Sequence, residues 1–316
     1  MKRVLITDDV HPLLIEGLRD RSYKVDYCPD ISLDNTRNKV CDYQALVINS
    51  KIRADRAMME QGTNLKWIGR LGSGLEIIDL EGARDRNIAI ISTPEANCQA
   101  VAEHALGMLL ALFRKLRQAD REVRQKQWLR EKNRGLELQG KTVGIIGFGH
   151  TGPAFGRLLE GFNVKILVFD KYKQHLKLPE RYEQVKDLEL MQKKADIISL
   201  HVPLSPETKY LIDKEFIEGC NRPFYLINTS RGPVVRTTDL MDALEKGKVL
   251  GACLDVFENE HPENYTDMEQ RLYGSLFANE QIIVSPHIAG WTYESKEKIA
   301  KIMLEKHDAL YAKVIS

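Results

Sequence analysis

From the first residue to about residue 95, short apolar or β-branched runs alternate with longer amphipathic ones: RVLITD, HPLLIEGLRD, KVDYC, ALVINS, LKWIGRLG and IAIISTP. This alternation predicts strands joined by helices, and strands connected that way run parallel and need cover on both faces. A second series begins at residue 140, with KTVGIIG, NVKILVFD, ADIISLHVP, PFYLINTS, GACLDVF and QIIVSPH separated by helix-like sequence. Two α/β sheets, and so two domains, are the simplest division of 316 residues. Between the two series, Val101, Ala105, Met108, Leu109, Leu112, Leu116 and Val123 recur at helical spacing, which predicts one long helix over residues 100–127. Its first half, ALGMLLALF, is apolar nearly all round, which suits a core helix or one pressed against a second subunit. Residues 261–276 are polar and irregular and read as a surface loop or partial helix.

Composition narrows the classes. With 43% hydrophobic and 29% charged residues and no low-complexity tract, the chain is expected to be globular throughout. Lys+Arg 46 against Asp+Glu 45 gives a net charge of +1, so no global field recruits nucleic acid or an anionic membrane. The cysteines Cys28, Cys41, Cys98, Cys220 and Cys253 are scattered, without the spacing of a metal site, as expected of a reducing compartment. No apolar stretch reaches membrane length and the opening MKRVLITDDVHPLLIEGL has no long apolar core, so a cytoplasmic location is expected.

The sharpest local signal is KTVGIIGFGHTGPAFGRLLEGFNVKILVFD, where Gly147, Gly149 and Gly152 form G-x-G-x-x-G directly after an apolar strand. A bare glycine turn would explain the spacing alone. Here a helical stretch follows, and the next strand ends in Asp170, 18 residues beyond Gly152. That context specifies a dinucleotide site, in which glycines let the backbone approach a pyrophosphate and helix N-terminal amides face its charge. A carboxylate at Asp170 would accept from the adenosine ribose hydroxyls and repel a 2′-phosphate, so the expected cofactor is NAD.

Ligands of an open parallel sheet bind beyond the carboxyl ends of its strands. Reading those positions gives Arg231 after PFYLINTS, Glu260 after GACLDVF, His287 after QIIVSP, and His201, Val202 and Pro203 after ADIISL. Reduction of a keto acid needs a cation for its carboxylate and carbonyl, which Arg231 supplies, and a proton donor, which His287 supplies with Glu260 orienting its imidazole. Each residue also has a duller role open to it, in a surface ion pair or a solvated loop, and spacing alone does not single out His287 among eight histidines.

The segments GRLGSGLEIIDLEGARDRNIAIISTPEAN, AVAEHALGMLL, LQGKTVGIIGFGHTG, HVPLSPETKYLI, LINTSRGPVV, GACLDVFENE and SPHIAGWT occur in one order. On them the chain resembles the D-2-isomer-specific 2-hydroxy-acid dehydrogenases, most closely short D-3-phosphoglycerate dehydrogenases without a regulatory domain. The resemblance implies two doubly wound α/β domains: a flavodoxin-like substrate domain over 1–97 plus 291–316, and a Rossmann NAD-binding domain over 98–290, with the active site in the cleft between them. It implies Arg231, Glu260 and His287 as the catalytic three, Asp255 and Thr229 at the nicotinamide carboxamide, and Ser73, Gly74 and Asn97 at the substrate. Further cofactor contacts are implied at His150, Thr151, His201, Val202, Pro203, Thr208, Ser230, Ala289 and Gly290.

A homodimer through the region of residues 100–127 is expected, with a small 2-keto or 2-hydroxy acid as the only other partner and no bound metal. Lys51, Arg53 and Arg70 offer cations for a substrate phosphate, which would fit 3-phosphoglycerate, although Asn49 stands where such enzymes commonly carry arginine. Glyoxylate or hydroxypyruvate is the competing substrate. Two departures stand out: Arg236 where the family usually has an acid after RGPVV, and the long polar HPENYTDMEQRLYG in place of a Pro-rich turn. A different class, the NAD-binding transcriptional co-repressors of the same fold, keeps the catalytic three, but the sequence shows no disordered interaction tail.

Overall fold

The computed structural model describes residues 2–315, which fall into two compact units. One comprises the chain up to Asn97 together with the part from Trp291 onward; the other is Cys98–Gly290.

In the first unit the strands are β1 (Lys2–Ile6), β2 (Tyr23–Tyr27), β3 (Ala45–Ile48), β4 (Trp67–Arg70) and β5 (Ala89–Ser92). They alternate with helices α1 (Pro12–Asp20), α2 (Leu33–Lys39), α3 (Arg56–Gln61) and α4 (Leu80–Asp85). All pairings are parallel, in the order β2-β1-β3-β4-β5, the flavodoxin-like arrangement. Every residue of β3 is buried, as a central strand covered by helices on both faces requires. Ser32, Asp55 and Asp79 cap α2, α3 and α4 by accepting from amides three residues on. The C-terminal helix Tyr293–Ile315 packs beside α1, burying Ala300 and Met303 with Val4, Ile6 and Leu14, and Asp308 accepts two hydrogen bonds from Arg21 at 2.5 Å.

The second unit begins with α5 (Cys98–Phe113) and α6 (Leu116–Arg124) and continues through β6 (Thr142–Ile146), α7 (Thr151–Leu159), β7 (Lys165–Phe169) and β8 (Tyr182–Gln184). Then follow α8 (Leu188–Lys194), β9 (Ile197–Leu200), α9 (Lys214–Gly219), β10 (Phe224–Asn228), α10 (Thr237–Glu245), β11 (Val249–Leu254), α11 (Asp267–Ala278) and β12 (Ile282–Val284). The seven strands are all parallel in the order β12-β11-β10-β9-β6-β7-β8. Strand order reverses at β6, which pairs with β7 on one side and β9 on the other, and such a switch point is where a doubly wound sheet opens a crevice.

Two features differ from the sequence-based expectation. The stretch expected as one helix over 100–127 is two, because Leu136 N–H takes the Phe113 carbonyl and Lys115 turns left-handed at φ 49°. The first piece is apolar all round because it is covered by α7 and by β10, β11 and β12, burying Ala102, Ala105, Met108, Leu109 and Phe113. The polar segment after Glu260 is the partial helix that was one of the two expectations, since Thr266 and Glu269 form a capping box that starts α11. The short edge strand β8 was not foreseen; three residues are too few to show a period.

Beyond α6 the chain is tied down by one carboxylate. Glu122, with a side chain 4% exposed, accepts from Lys132 Nζ at 2.8 Å, Asn133 Nδ2 at 2.5 Å and Gln118 Nε2 at 3.1 Å. These donors, Lys132 foremost, hold its carboxyl down at about 2. A carboxylate held low when folded stabilises the fold above its unfolded value and loses that contribution as pH falls toward 2. The melting temperature of Glu122→Gln should therefore lie below the parent's at neutral pH, with the gap closing between pH 4.5 and 2. A gap independent of pH would show that the charge is not what holds the segment.

Candidate active site

The crevice at the switch point is shaped by backbone contact. After β6 the chain turns at Gly147, at φ 92°, where a Cβ would lie 2.3 Å from the His201 carbonyl oxygen at the end of β9. Gly152, in the first turn of α7, is equally confined, with the Gly147 oxygen 2.2 Å from any added Cβ. These two glycines let turn, strand and helix close on one another. Gly149 differs: a Cβ there would meet nothing within 4 Å, and its backbone is not left-handed. Nothing in the chain explains glycine at that position, whereas a ligand approaching the backbone would.

Asp170, at the end of β7, accepts from the Phe148 amide at 2.8 Å and from the amides of Tyr172 and Lys173 at 3.0 and 2.9 Å. Its carboxylate thus braces the glycine turn, and Lys173 Nζ donates to the Phe148 carbonyl from the same side. On the far side of the turn, His201 hydrogen-bonds Ser199 at 2.9 Å and packs on Phe155, and the enclosure of its ring lowers its pKa to about 3. Its imidazole is a neutral wall rather than a titrating group. Thr208 Oγ1 accepts from Ser205 N and donates to the Pro203 carbonyl, so it shapes the 203–208 loop.

The three strand-end residues come together within this same unit. Buried Asn228, the last residue of β10, accepts from Ser230 N and Oγ and donates to the Arg231 carbonyl at 2.9 Å, which orders the turn carrying Arg231. Gly232 then lies flush against the loop after β11, since a Cβ there would be 1.7 Å from the Phe257 oxygen. That contact sets the arginine turn beside the segment leading to Glu260. Glu260 Oε2 faces His287 Nδ1 at 2.7 Å, and Oε1 accepts from the Phe257 amide at 3.2 Å. Burial pushes the Glu260 carboxyl up, but the hydrogen bond and charge of His287, the Phe257 amide and the nearby Arg231 charge together bring it below the usual carboxylate range. Glu260 is therefore an anion that fixes the imidazole with its proton on Nδ1 toward the carboxylate, leaving Nε2 for chemistry.

His287 holds this position in a left-handed backbone conformation, φ 57°. Its amide donates to the Asp255 carbonyl at 2.7 Å, while the buried Asp255 carboxylate accepts from Ser285 Oγ at 2.5 Å and the amides of Ile288 and Ala289 at 2.9 and 2.8 Å. The resemblance implied Asp255 for the carboxamide; in the structure its two oxygens also build the histidine's turn. Thr229 Oγ1, in the adjoining turn, is buried with no hydrogen-bond partner among the described residues, an arrangement that costs about 1–3 kcal/mol unless a ligand satisfies it. His150 and Thr151 stand at the N-terminus of α7, Val202 packs near Gly147, and Ser230, Ala289 and Gly290 flank the two turns.

Ser73, Gly74, Asn97, Lys51 and Arg53 belong to the first unit. There the Ser73 and Gly74 turn follows β4 and is braced by Arg70, whose guanidinium donates to the Gly74 carbonyl at 2.9 Å, to Asn49 Oδ1 at 2.9 Å and to the Leu71 carbonyl. Lys51 Nζ donates to the Pro29 carbonyl, and Arg53 is exposed. Asn228 and Ser285 were missed from sequence; both sit beside the residues that were chosen, but side chains that brace a turn carry no distinctive spacing.

A family model described as the D-isomer specific 2-hydroxyacid dehydrogenase, NAD binding domain, matches residues 106–289. The chain belongs to the D-isomer specific 2-hydroxyacid dehydrogenases. Among relatives of this family member, the hydroxypyruvate reductase of Thermotoga maritima is 34% identical over 273 residues, covering 86% of each chain. The D-3-phosphoglycerate dehydrogenase of Archaeoglobus fulgidus is 31% identical over 303 residues, 96% of this chain but 56% of that protein. The chain thus spans little more than half the length of such relatives. The D-lactate dehydrogenase of Aquifex aeolicus, solved with NAD and lactic acid, superimposes with a TM-score of 0.84 at 27% identity, covering 99% of this chain and 96% of that one.

The cofactor of this domain is NAD, and the residues present fit it: the open side of Gly149, the amides at the start of α7, the acid at the end of β7 and the orphaned Thr229 hydroxyl. Two glycine substitutions separate packing from cofactor fit. Gly232→Ala should lower unfolding stability by about 1–3 kcal/mol, seen as a urea midpoint shift at constant slope. Gly149→Ala should leave that midpoint unmoved and weaken NADH binding in a fluorescence titration. A destabilised Gly149→Ala, or unimpaired NADH binding by it, would contradict the assignment.

Proposed function

We propose that this protein is an NAD-dependent oxidoreductase interconverting a small 2-keto acid and the corresponding D-2-hydroxy acid. The observation that carries the reading is the 2.7 Å pair of Glu260 and His287, with Arg231 beside it, in the unit that also holds the glycine turn. When bound, NADH supplies the hydride that reduces the C2 carbonyl. Arg231 holds the substrate carboxylate and polarises the carbonyl, His287 Nε2 delivers the proton to the developing alkoxide, and the Glu260 anion stabilises the protonated ring that precedes delivery. In the reverse direction the same nitrogen removes the hydroxyl proton. The carboxylate of Asp170 favours NAD over NADP by repelling a 2′-phosphate.

Relatives of the chain carry the names D-3-phosphoglycerate dehydrogenase, hydroxypyruvate reductase and glyoxylate reductase. Engagement of Arg70 with its own turn and of Lys51 with the Pro29 carbonyl leaves a phosphate poorly served, so an unphosphorylated acid such as hydroxypyruvate or glyoxylate is favoured. The assay is NADH oxidation with glyoxylate, hydroxypyruvate and 3-phosphohydroxypyruvate. Turnover is expected with the first two, and His287→Gln should lower kcat by about 10²–10⁴-fold with NADH affinity retained. Tight NADH binding without turnover of any of the three would overturn the reading in favour of a nucleotide-sensing role.

The segment from α6 to β6 leaves Leu116, Val123, Trp128, Leu129 and Leu136 exposed, Trp128 by 72%. Such a concentration of apolar side chains suits pairing with a second copy of the chain. The five thiols form no disulfide, and no helix among the described residues is long and apolar enough to cross a membrane, which suits the reducing cytoplasm. Sedimentation should show a dimer that Trp128→Glu converts toward monomer; a monomeric parent would remove the pairing.

A further inference from the structure

The proposed reaction uses one histidine, yet a second is built into the support of that histidine's turn. His104 lies on α5, in the otherwise apolar run AVAEHALGMLL. Its Nε2 is 2.8 Å from Ser285 Oγ, which in turn lies 2.5 Å from Asp255 Oδ1. A hydroxyl has one proton. Because the Asp255 carboxylate can only accept, Ser285 donates to it, and the same oxygen must then accept from His104. The chain of donors runs His104 Nε2–H to Ser285 Oγ–H to Asp255 Oδ1, with the His104 nitrogen itself 3.7 Å from that carboxylate oxygen.

The far end of this chain is the turn that carries His287. Asp255 Oδ1 also accepts from Ile288 N and Oδ2 from Ala289 N, while the Asp255 carbonyl takes the His287 amide. The ring of His287 is thus aimed by a backbone in the left-handed region, which is unfavourable for a residue other than glycine and persists only where its surroundings over-determine it. Ser285 lies directly after β12 and is partly buried, and its hydroxyl is held between Asp255 Oδ1 and His104 Nε2. Met108 Sδ, the other group within reach at 3.8 Å, is a weak acceptor and cannot hold the rotamer.

The geometry points to His104 as a positioning residue for the reaction: through Ser285 it locks the Asp255 carboxylate, and through that carboxylate it holds the His287 turn in its productive conformation. No sequence-based reasoning singled it out. The signal was nevertheless there, a polar ring on the face of α5 that packs toward the sheet edge formed by β11 and β12.

This inference rests on the proposed reaction, so its test has one readout that needs no turnover. His104→Leu keeps the volume and removes the donor; His104→Gln returns an N–H near the position of Nε2. His104→Leu is expected to lower kcat by about tenfold to a hundredfold, as a small misplacement of a catalytic group does, without weakening NADH binding or lowering the melting temperature. His104→Gln should recover most of the loss. Ser285→Ala should match His104→Leu, and the double variant should be no worse than either single one, because both remove the same chain.

The ring proton–nitrogen correlations of His287, assigned with His287→Gln and recorded without substrate, should shift and broaden in His104→Leu and Ser285→Ala but not in His104→Gln. An unchanged kcat in His104→Leu, losses that multiply in the double variant, or no advantage of Gln over Leu would overturn the proposal. A parent without keto-acid turnover whose His287 signals still follow this pattern would sink the reaction and keep the positioning role. A parent that turns over while its His287 signals ignore residue 104 would do the reverse.

Discussion

The site depends on the buried carboxylate of Asp255. An isolated charge in that position would cost several kcal/mol, and it is tolerated because a hydroxyl and two amides converge on it. The relation is reciprocal. Those amides belong to the turn after β12, and binding them is what allows His287 to occupy a backbone conformation it would otherwise leave. Because Asp255 follows β11, and its own amide bonds the carbonyl of Asn228 at the end of β10, three adjacent strand ends are tied to one another. The parallel sheet supplies the alignment and the carboxylate supplies the joint.

Around that joint the charges alternate. Arg231 stands on a turn ordered by Asn228, Glu260 on the loop against which Gly232 packs, and His287 on the turn held by Asp255. Burial opposes the ionised form of Glu260, yet its cationic neighbours prevail. The outcome is an anion placed against an imidazole, the arrangement that the proposed carbonyl reduction calls for. The glycine turn meets the complementary demand: Gly147 and Gly152 are confined by the chain itself, and Gly149 is left open.

Much of this was legible along the chain because it is local. Strand runs such as KTVGIIG and GACLDVF announce a covered parallel sheet, and glycines at fixed offsets before Asp170 announce a turn that must approach a phosphate. The strand-end rule then brought Arg231, Glu260 and His287 into view without any knowledge of their contacts. Local reasoning failed where a distant partner decides. The helix over 100–127 breaks because Leu136 returns to cap Phe113. Of the cations that suggested a phosphate site, Lys51 and Arg70 are engaged by carbonyls and Asn49, whereas Arg53 is exposed.

By itself, then, the sequence determined the α/β class and the dinucleotide turn and offered Arg231, Glu260 and His287 as candidates, since periodicity, glycine placement and residue type are properties of neighbours in the chain. Only the tertiary structure decided that Asp255 supports a turn, that Glu260 is ionised beside His287, and that His104 reaches Ser285 from 181 positions away. Hydrogen bonds between groups so far apart in sequence depend on the register of parallel strands and the packing of α5 against them, and no local pattern encodes that distance.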